Sequence, residues 1–581
     1  MIEETRLIHP TTLLAAFDGS PVKAQLVHLS AVDIAVIAIY FAIVIYIGFY
    51  LKGSTNTSEE FFMAGREMTA WIAGLSFVSA NLGSLELMGW AGSAYQYGIL
   101  ATHWYWIGAI PAMLFLGIVM MPFYYISRTH SVPGYLNLRF GEGTRGLSGI
   151  CFAFMTVLMS GINMYSMAIV MKVVLGWDLN FSIWVSSITV ALYVALGGLR
   201  SAIFNEVLQF LLIWLGALLI PILGLIECGG WENLKAQIAH RLGTTEYMHL
   251  WSTTAHFRDN PMGIHWTGLV FGLGMVISFG YWTTDFLVVQ RVLSAHNLRS
   301  ARMAPIIGAG FKMMVPFIVI LPGLLALSVL PYHLVPQDVA VVTGQHSYNE
   351  VLPLMLVRYC GPGLLGLGVT ALIAGFMSGM AGNVSAFATV WTYDIYGAFL
   401  NKKASDSHYV AMGRWCTFIG VLISVGTAYL VQHAASIMDY VQALFSFFIA
   451  PLFGTVILGM LWKRATKAGG FWGLLAGTGT AIGLWAWVRH DPTALRYVAL
   501  STDAKAMAED MYRALWSWLA CVLVTVIVSY MTQPRPEVEL EGLVYGATKI
   551  PEEHDDHWYQ KPIVWAGMIA AVFVVLNIIF W

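Results

Sequence analysis

The sequence predicts an all-α integral membrane protein of about fourteen transmembrane helices, on three observations. Only 11% of its 581 residues are charged. The mean hydropathy is +0.70. Apolar runs long enough to cross about 30 Å of hydrocarbon at about 1.5 Å per residue recur along the whole chain. A soluble chain with so few charges could not cover its own surface.

Hydropathy broken at charged or Gly/Pro-rich stretches places the spans in order near 31–51, 69–97, 102–127, 146–175, 179–197, 200–228 and 266–290. They continue near 303–331, 363–398, 407–432, 437–462, 468–489, 511–533 and 560–581. The distribution of Lys and Arg tests this division, because alternate short loops should carry them. Lys52 and Arg66, then Arg128, Arg139 and Arg145, then Arg200, then Arg291, Arg299 and Arg302, then Lys402 and Lys403, then Lys463, Arg464 and Lys467 all fall on one side. The short opposite loops near 97–101, 176–178 and 433–436 have none. The expectation is an inner (plasma) membrane protein with this basic face in the cytoplasm and, the number of spans being even, both termini on the other side.

Composition also removes whole classes. A formal net charge of −2, with no basic stripe interleaved with aromatics, gives a nucleic-acid partner no footing. The five cysteines, Cys151, Cys228, Cys360, Cys416 and Cys521, form no C-x-x-C pair and sit mostly in apolar runs, so neither a disulfide framework nor a zinc site is expected. The first thirty or so residues lack the charged, apolar and small-residue order of a signal peptide. His554, Asp555, Asp556 and His557 could ligate a metal but stand in a polar loop without supporting ligands, which reads as a solvated acidic loop. No H-E-x-x-H, G-x-S-x-G or histidine cluster lies in the spans, so a membrane-embedded enzyme is not expected.

Two spans differ from plain anchors. The run 69–97 carries Gly74, Gly83, Gly89 and Gly92, and the run 266–290 carries Gly268, Gly272, Gly274 and Gly280. Each opens a set of five spans. Interrupted helices at matching places in two halves point to a transporter built from inverted repeats, with its site near the midplane. Glycines that only permit close helix packing would leave the same spacing.

Within these runs several polar groups are costly enough to ask for a reason. Asn81 offers a donor and an acceptor where unwound backbone lining a cavity is tolerated. Glu86 is a carboxylate in an apolar segment, which must face water, a partner or a solute, or else reach the interface. Lys312 is the one lysine or arginine in GAGFKMMVPFIVILPG, where an ammonium needs a carboxylate or carbonyl partner. Tyr281 and Trp282 suit the CH patches of a sugar ring, although such a pair also serves packing or an interfacial belt. Glu206 follows Asn205, and Asp285, six residues before Arg291, reads as a structural member of a cytoplasmic-side charge network.

Strings spread through almost the whole chain resemble the sodium:solute symporters, and within them the sodium/glucose and sodium/galactose cotransporters. They are FFMAGREMTAWIAGLSFVSANLGSLELMGWAG (61–92), SVPGYLNLRFG (131–141), GGLRSAIFNEVLQ (197–209), YWTTDFLVVQRVLSAHN (281–297), MSGMAGNVSAFATVWTYDIY (377–396), DYVQ (439–442) and LWKR followed by GGFWG (461–464, 469–473), all in the family's order. The resemblance implies a five-plus-five inverted-repeat core of the leucine-transporter type at 61–462, with halves near 69–228 and 266–462. Segment 1–60 then holds the first extra helix and 463–581 three more. The implied activity is cation-coupled symport of a monosaccharide by alternating access. A proton-coupled or uncoupled carrier, transport of another small polar solute, and a sensor or channel of the same fold stay open.

The resemblance also assigns positions. Asn81, Lys312 and Gln442 fall on sugar-contacting positions and Tyr281, next to Trp282, on the inner gate. Glu86 stands where related carriers have a sugar-binding histidine or glutamine. Tyr105 stands where others have a sugar-binding glutamate, and Ser278 where one relative has a site asparagine. The sodium ligands it implies are the backbone carbonyls of Ser79, Leu82 and Gly375 and the hydroxyl of Ser378. The family's second hydroxyl is missing, because Gly379 follows Ser378. The expectation is weak sodium binding, with a water or Glu206 supplying the absent oxygen and Gly379→Ser tightening it.

Overall fold

The computed structural model describes residues 29–51, 57–331, 333–431, 434, 436–551 and 557–581. Lys52 and the His554, Asp555 and Asp556 part of the polar loop lie outside the described residues. Those described are almost wholly helical, and their β-pairing consists of two isolated bridges, Met68 with Ala295 and Val335 with Ser347.

Among the described residues, ten helices are long and apolar enough to cross a membrane. In chain order with their companions the segments are α1 (Ala31–Leu51), α2 (Ala70–Asn81), α3 (Ser84–Trp104), α4 (Ile110–Ile126), α5 (Glu142–Leu175), α6 (Leu179–Ile188) and α7 (Gly198–Cys228). There follow α8 (Gly268–Thr284), α9 (Phe286–Leu293), α10 (Leu298–Val329), α11 (Leu364–Leu400), α12 (Asp406–Ala428), α13 (Ile437–Leu461), α14 (Lys467–His490), α15 (Ala506–Met531) and α16 (Pro562–Ile579). The pairs α2/α3 and α8/α9 are bent by 57° and 50° and are broken spans. With each pair counted once and the shorter apolar α4 and α6 included, every expected span has one counterpart. The corner between α6 and α7 is turned at Gly198, whose φ of 57° suits a residue without Cβ.

The two breaks have different causes. The first falls at Leu82–Gly83, within the glycine-marked run as expected. The second falls at Asp285, whose φ of −70° and ψ of 113° end α8, while its side chain accepts a hydrogen bond from Leu287 N–H at 2.9 Å and caps α9. None of Gly268, Gly272, Gly274 and Gly280 lies at that break. Gly272 and Gly280 instead face Met511 and Ile449 at distances where a Cβ would collide, so packing is their reason. Asp285 is therefore a cap rather than the partner of Arg291.

Around the breaks, α2 packs on α10 and α7, and α11 packs on α5 and α7, so the first break is enclosed by the deeply buried centre of the bundle. The helices α14 and α15 pair with each other, and α15 also covers α13 and α8. Basic loops gather on one face. Arg66 pairs with Glu59 and donates to the carbonyl of Thr129 at 3.1 Å, Arg145 pairs with Asp394 at 2.7 Å, Lys402 with Glu142 at 3.0 Å, and Arg299 donates to the carbonyl of Gln560 at 3.0 Å. On that face a hydrogen bond from His130 and the charge of Arg66 hold the Glu59 carboxyl down at about 2 despite partial burial. On the opposite face the start of α1 meets the start of α11, where Asp33 accepts from Gly363 and Gly366 N–H, and the carbonyl of Trp581 accepts from Trp251 N–H at 2.9 Å.

One fully buried ion pair ties α9 to α7 and α2. The Arg291 guanidinium on α9 reaches Glu206 on α7 at 2.6 and 3.3 Å, and Ser76 on α2 donates to the same carboxylate. Arg291 also donates to the carbonyl of Leu287 at 2.9 Å and to Gln290 at 3.0 Å, so most of its donors are satisfied. Removing one member leaves an uncompensated buried charge, at a cost of about 3–5 kcal/mol, whereas replacing both with apolar groups removes the desolvation cost as well. Arg291→Met should therefore lower the melting temperature of the purified protein sharply. The double variant Arg291→Met/Glu206→Met should recover most of the loss in the same thermal-unfolding assay.

Candidate solute and cation site

The first break sets the site. Helix α2 ends at Asn81, Leu82 leaves helical geometry with ψ 52°, and α3 restarts at Ser84 after Gly83, whose own backbone is extended. Asn81 thus sits at a helix end inside the bundle and is 7% exposed. Its amide nitrogen donates to the Tyr281 hydroxyl at 2.7 Å and to Glu86 Oε1 at 3.3 Å, and its oxygen accepts from Lys312 Nζ.

Lys312 is 2% exposed. Its ammonium lies 3.8 Å from Glu86 Oε2, 4.8 Å from the centre of the Tyr105 ring and 5.2 Å from that of Trp282. A carboxylate, an amide oxygen and two aromatic faces are what a buried ammonium requires. The Tyr105 hydroxyl donates to Glu86 Oε2 at 2.6 Å, so the two positions that depart from the resembling carriers bind each other. Trp282 is oriented by its Nε1, which donates to the carbonyl of Gly108 at 3.1 Å, and the Tyr281 ring leans on Phe445 with centroids 5.0 Å apart.

The structure therefore brings Asn81, Glu86, Tyr105, Tyr281, Trp282 and Lys312 into one cluster. Ser278 and Gln442 do not join its hydrogen bonds. They flank it, Ser278 one turn before Tyr281 on α8 and Gln442 one turn before Phe445 on α13. Ser278 Oγ and Gln442 Oε1 are both buried with no hydrogen-bond partner among the described residues. A buried acceptor left so is uncommon and asks for a ligand or water.

The residues of the expected cation set, Ser79, Leu82, Gly375 and Ser378, lie together beside Asn81. Ser378 Oγ on α11 donates to the carbonyl of Ser79 at 2.9 Å and lies 3.0 Å from Ser79 Oγ. Gly375 faces Leu82, whose carbonyl oxygen would be 3.1 Å from a Cβ placed there. Hard oxygens at a helix break suit a small hard cation. Glu206 is not part of this set, because Arg291 and Ser76 engage its carboxylate. The room for a serine at 379 is also taken: its Cβ would stand 3.0 Å from Gly83 Cα and 3.0 Å from Asn163 Oδ1. Gly379→Ser alone is thus crowded rather than a simple gain of a ligand. Asn163 on α5 was not apparent from the sequence, where an amide in MSGINMYSMA carries no signal that it faces a break 80 residues earlier.

A buried polar cluster walled by aromatics and an oxygen set, meeting at a broken helix, fit a secondary active transporter of the five-plus-five inverted-repeat type. The family model of the sodium:solute symporter family matches residues 61–477, and the chain belongs to that family. It is 30% identical over 553 residues to human (Homo sapiens) sodium/glucose cotransporter 4, covering 90% of this chain and 79% of the relative. It is 29% identical over 555 residues to sodium/glucose cotransporter 1 of Oryctolagus cuniculus, covering 91% and 83%. Among solved structures, a Na+-coupled sialic acid symporter in a substrate-bound outward-open state superposes with a TM-score of 0.71 at 19% identity, covering 87% of this chain and 98% of that one. This last likeness speaks for the fold.

On α8, the Tyr281 hydroxyl accepts from Asn81 at 2.7 Å and its ring packs on Phe445 of α13, and the resemblance implies that it is the inner gate. Tyr281→Ala should release bound solute faster from inward-facing protein, measured as dissociation of a labelled solute. Slower or unchanged release would make it a packing residue.

Proposed function

We propose that the chain is a sodium-coupled symporter of a neutral monosaccharide such as glucose or galactose. It would lie in the plasma (inner) membrane with the basic face in the cytoplasm and both termini on the far side. The observation that carries the reading is the Asn81, Glu86 and Lys312 cluster walled by Tyr105 and Trp282. It offers donors and acceptors to hydroxyls on one side and aromatic faces to ring CH groups on another. The unpartnered oxygen of Gln442 adds an acceptor at its margin.

The charges favour a neutral solute over an anion. Lys312 already has Glu86 beside it, and a substrate carboxylate would meet Glu86 with little net attraction left. An uncharged polyol can exchange hydrogen bonds with both members without separating them. Glucose cotransporter relatives support the same class, and the oxygens of Ser79, Leu82 and Ser378 support sodium as the coupling ion. The sidedness is supported by the gathered basic loops and by the placement of α1's start and of Trp581 on the opposite face.

Uptake of a labelled sugar panel into proteoliposomes, with and without an inward sodium gradient, tests the reading. Concentrative, sodium-dependent uptake is expected. Sugar uptake driven by a pH gradient but indifferent to sodium would replace sodium by protons, and no uptake of any sugar would sink the proposal. Lys312→Ala and Gln442→Ala should insert normally and lose solute affinity by about ten- to hundredfold, the value of a hydrogen bond to a charged or buried group. Unchanged binding in both would remove them from the site.

A further inference from the structure

At the first break stands a further oxygen. Asn163 is 1% exposed, in the middle of α5, and its Oδ1 points into the gap between Gly83 and Gly379. It would stand 2.6 Å from a Cβ on Gly83 and 3.0 Å from one on Gly379, so both glycines are needed for it to enter. Its partners there hold it loosely. Leu85 N–H and Ser84 Oγ each lie 3.4 Å from Oδ1, near the limit of a hydrogen bond, while its amide nitrogen is turned away and donates to the carbonyl of Met159 at 3.3 Å. An amide oxygen aimed into a helix break, with its donor end tied back to its own helix, can accept but cannot donate there.

Gly379 is also the residue that deprives the expected cation set of a hydroxyl, and Ser378 beside it contacts the Ser79 carbonyl. We propose that Asn163 supplies the oxygen that the side chain at 379 lacks, so that its amide is the fifth ligand of the sodium ion and sets the ion affinity. This deepens the sodium-coupled reading above and rests on it. The physical reason is substitution of one hard neutral oxygen for another. A serine at 379 would carry its hydroxyl oxygen about 1.4 Å from a Cβ that Asn163 Oδ1 already crowds, so the two groups compete for one volume. The chain therefore uses either a hydroxyl from α11 or an amide from α5, and not both.

The alternative role for Asn163 is to cap α3 through Leu85 N–H, and the test separates the two. Binding of 22Na+ to the purified full-length protein is measured by scintillation proximity, and thermal stability is titrated with NaCl against choline chloride. Asn163→Ala should raise the half-saturating sodium concentration by about ten- to hundredfold. Gly379→Ser alone should not tighten sodium binding, whereas Asn163→Ala/Gly379→Ser, in which the hydroxyl takes the vacated volume, should recover it towards the wild type. A pure cap would lower stability equally in sodium and choline and leave the half-saturation unmoved, which overturns the proposal. If Asn163→Ala does not fold, Asn163→Asp keeps an oxygen and adds charge. It should bind sodium more tightly, and an unchanged affinity overturns the proposal equally. Wild-type protein that binds no 22Na+ would remove the sodium reading and this ligand together. Wild-type binding that survives intact in Asn163→Ala removes only the ligand.

Discussion

A peptide group that loses its intrahelical partner inside a bilayer has no water to turn to, and leaving it bare costs several kcal/mol. Two spans of this chain nevertheless stop being helices at membrane depth. What surrounds each break answers that cost, and the rest of the architecture follows from the answers. At Leu82–Gly83 the freed groups are met by Ser378, which donates to the Ser79 carbonyl, and by Asn163, which faces Leu85 N–H. At Asp285 the residue's own carboxylate accepts from Leu287 N–H and the new helix starts beneath it. The first break is thus closed by side chains from α11 and α5, and the second by its own cap together with the Tyr124 hydroxyl of α4, which donates to the Thr283 carbonyl at 3.0 Å. At the first break the Ser79 carbonyl and the Ser378 and Ser79 hydroxyls stand together, as suits a small hard cation.

Charge follows the same logic. Arg291 and Glu206 satisfy each other, with Ser76 on the first broken helix as a third member, so this pair belongs to the frame. Lys312 is different. Its acceptors, Asn81 and Glu86, both lie on the two arms of the first break, and its remaining neighbours are aromatic faces. A buried ammonium held by groups on both arms of a break depends on the angle between those arms, whereas Arg291 is anchored to the carbonyl of Leu287 on its own helix. The Tyr105 hydroxyl donates to Glu86 Oε2 at 2.6 Å, so the carboxylate beside Lys312 is also held by an aromatic residue.

The spans and their order were legible because a bilayer imposes length and apolarity on each one separately, so hydropathy and basic loops suffice. Asn81, Glu86 and Lys312 were legible for a related reason: a polar group in an apolar run is expensive wherever it stands. Partnerships were not. The tie of Arg291 to Glu206 spans 85 residues, and proximity in sequence suggested Asp285 instead. The role of Asp285 did have a local signal, since Thr-Thr-Asp before the apolar run FLVVQRVL is an N-cap pattern, but the glycines drew attention from it. Asn163 had no such signal. Its meaning depends on Gly83 and Gly379 both lacking a side chain, and a three-way coincidence across three helices cannot be read from any one of them.

On the proposed assignment, the arrangement around Asn81 couples two ligands without a long pathway. Ser79 and Leu82 bracket Asn81 in the chain, so the oxygens suited to a cation and the amide suited to a solute belong to one four-residue stretch at the end of α2. A cation that draws in the Ser79 and Leu82 carbonyls fixes the turn between them, and with it the direction in which Asn81 presents its donor and acceptor. A solute that holds Asn81 against Lys312 and Tyr281 fixes the same turn from the other side. Each ligand thereby lowers the ordering cost of the other, and linkage requires the effect on the two affinities to be equal. The coupling therefore needs a backbone free enough to be ordered, which an intact helix is not, so the energetic cost of breaking α2 from α3 is inseparable from its use.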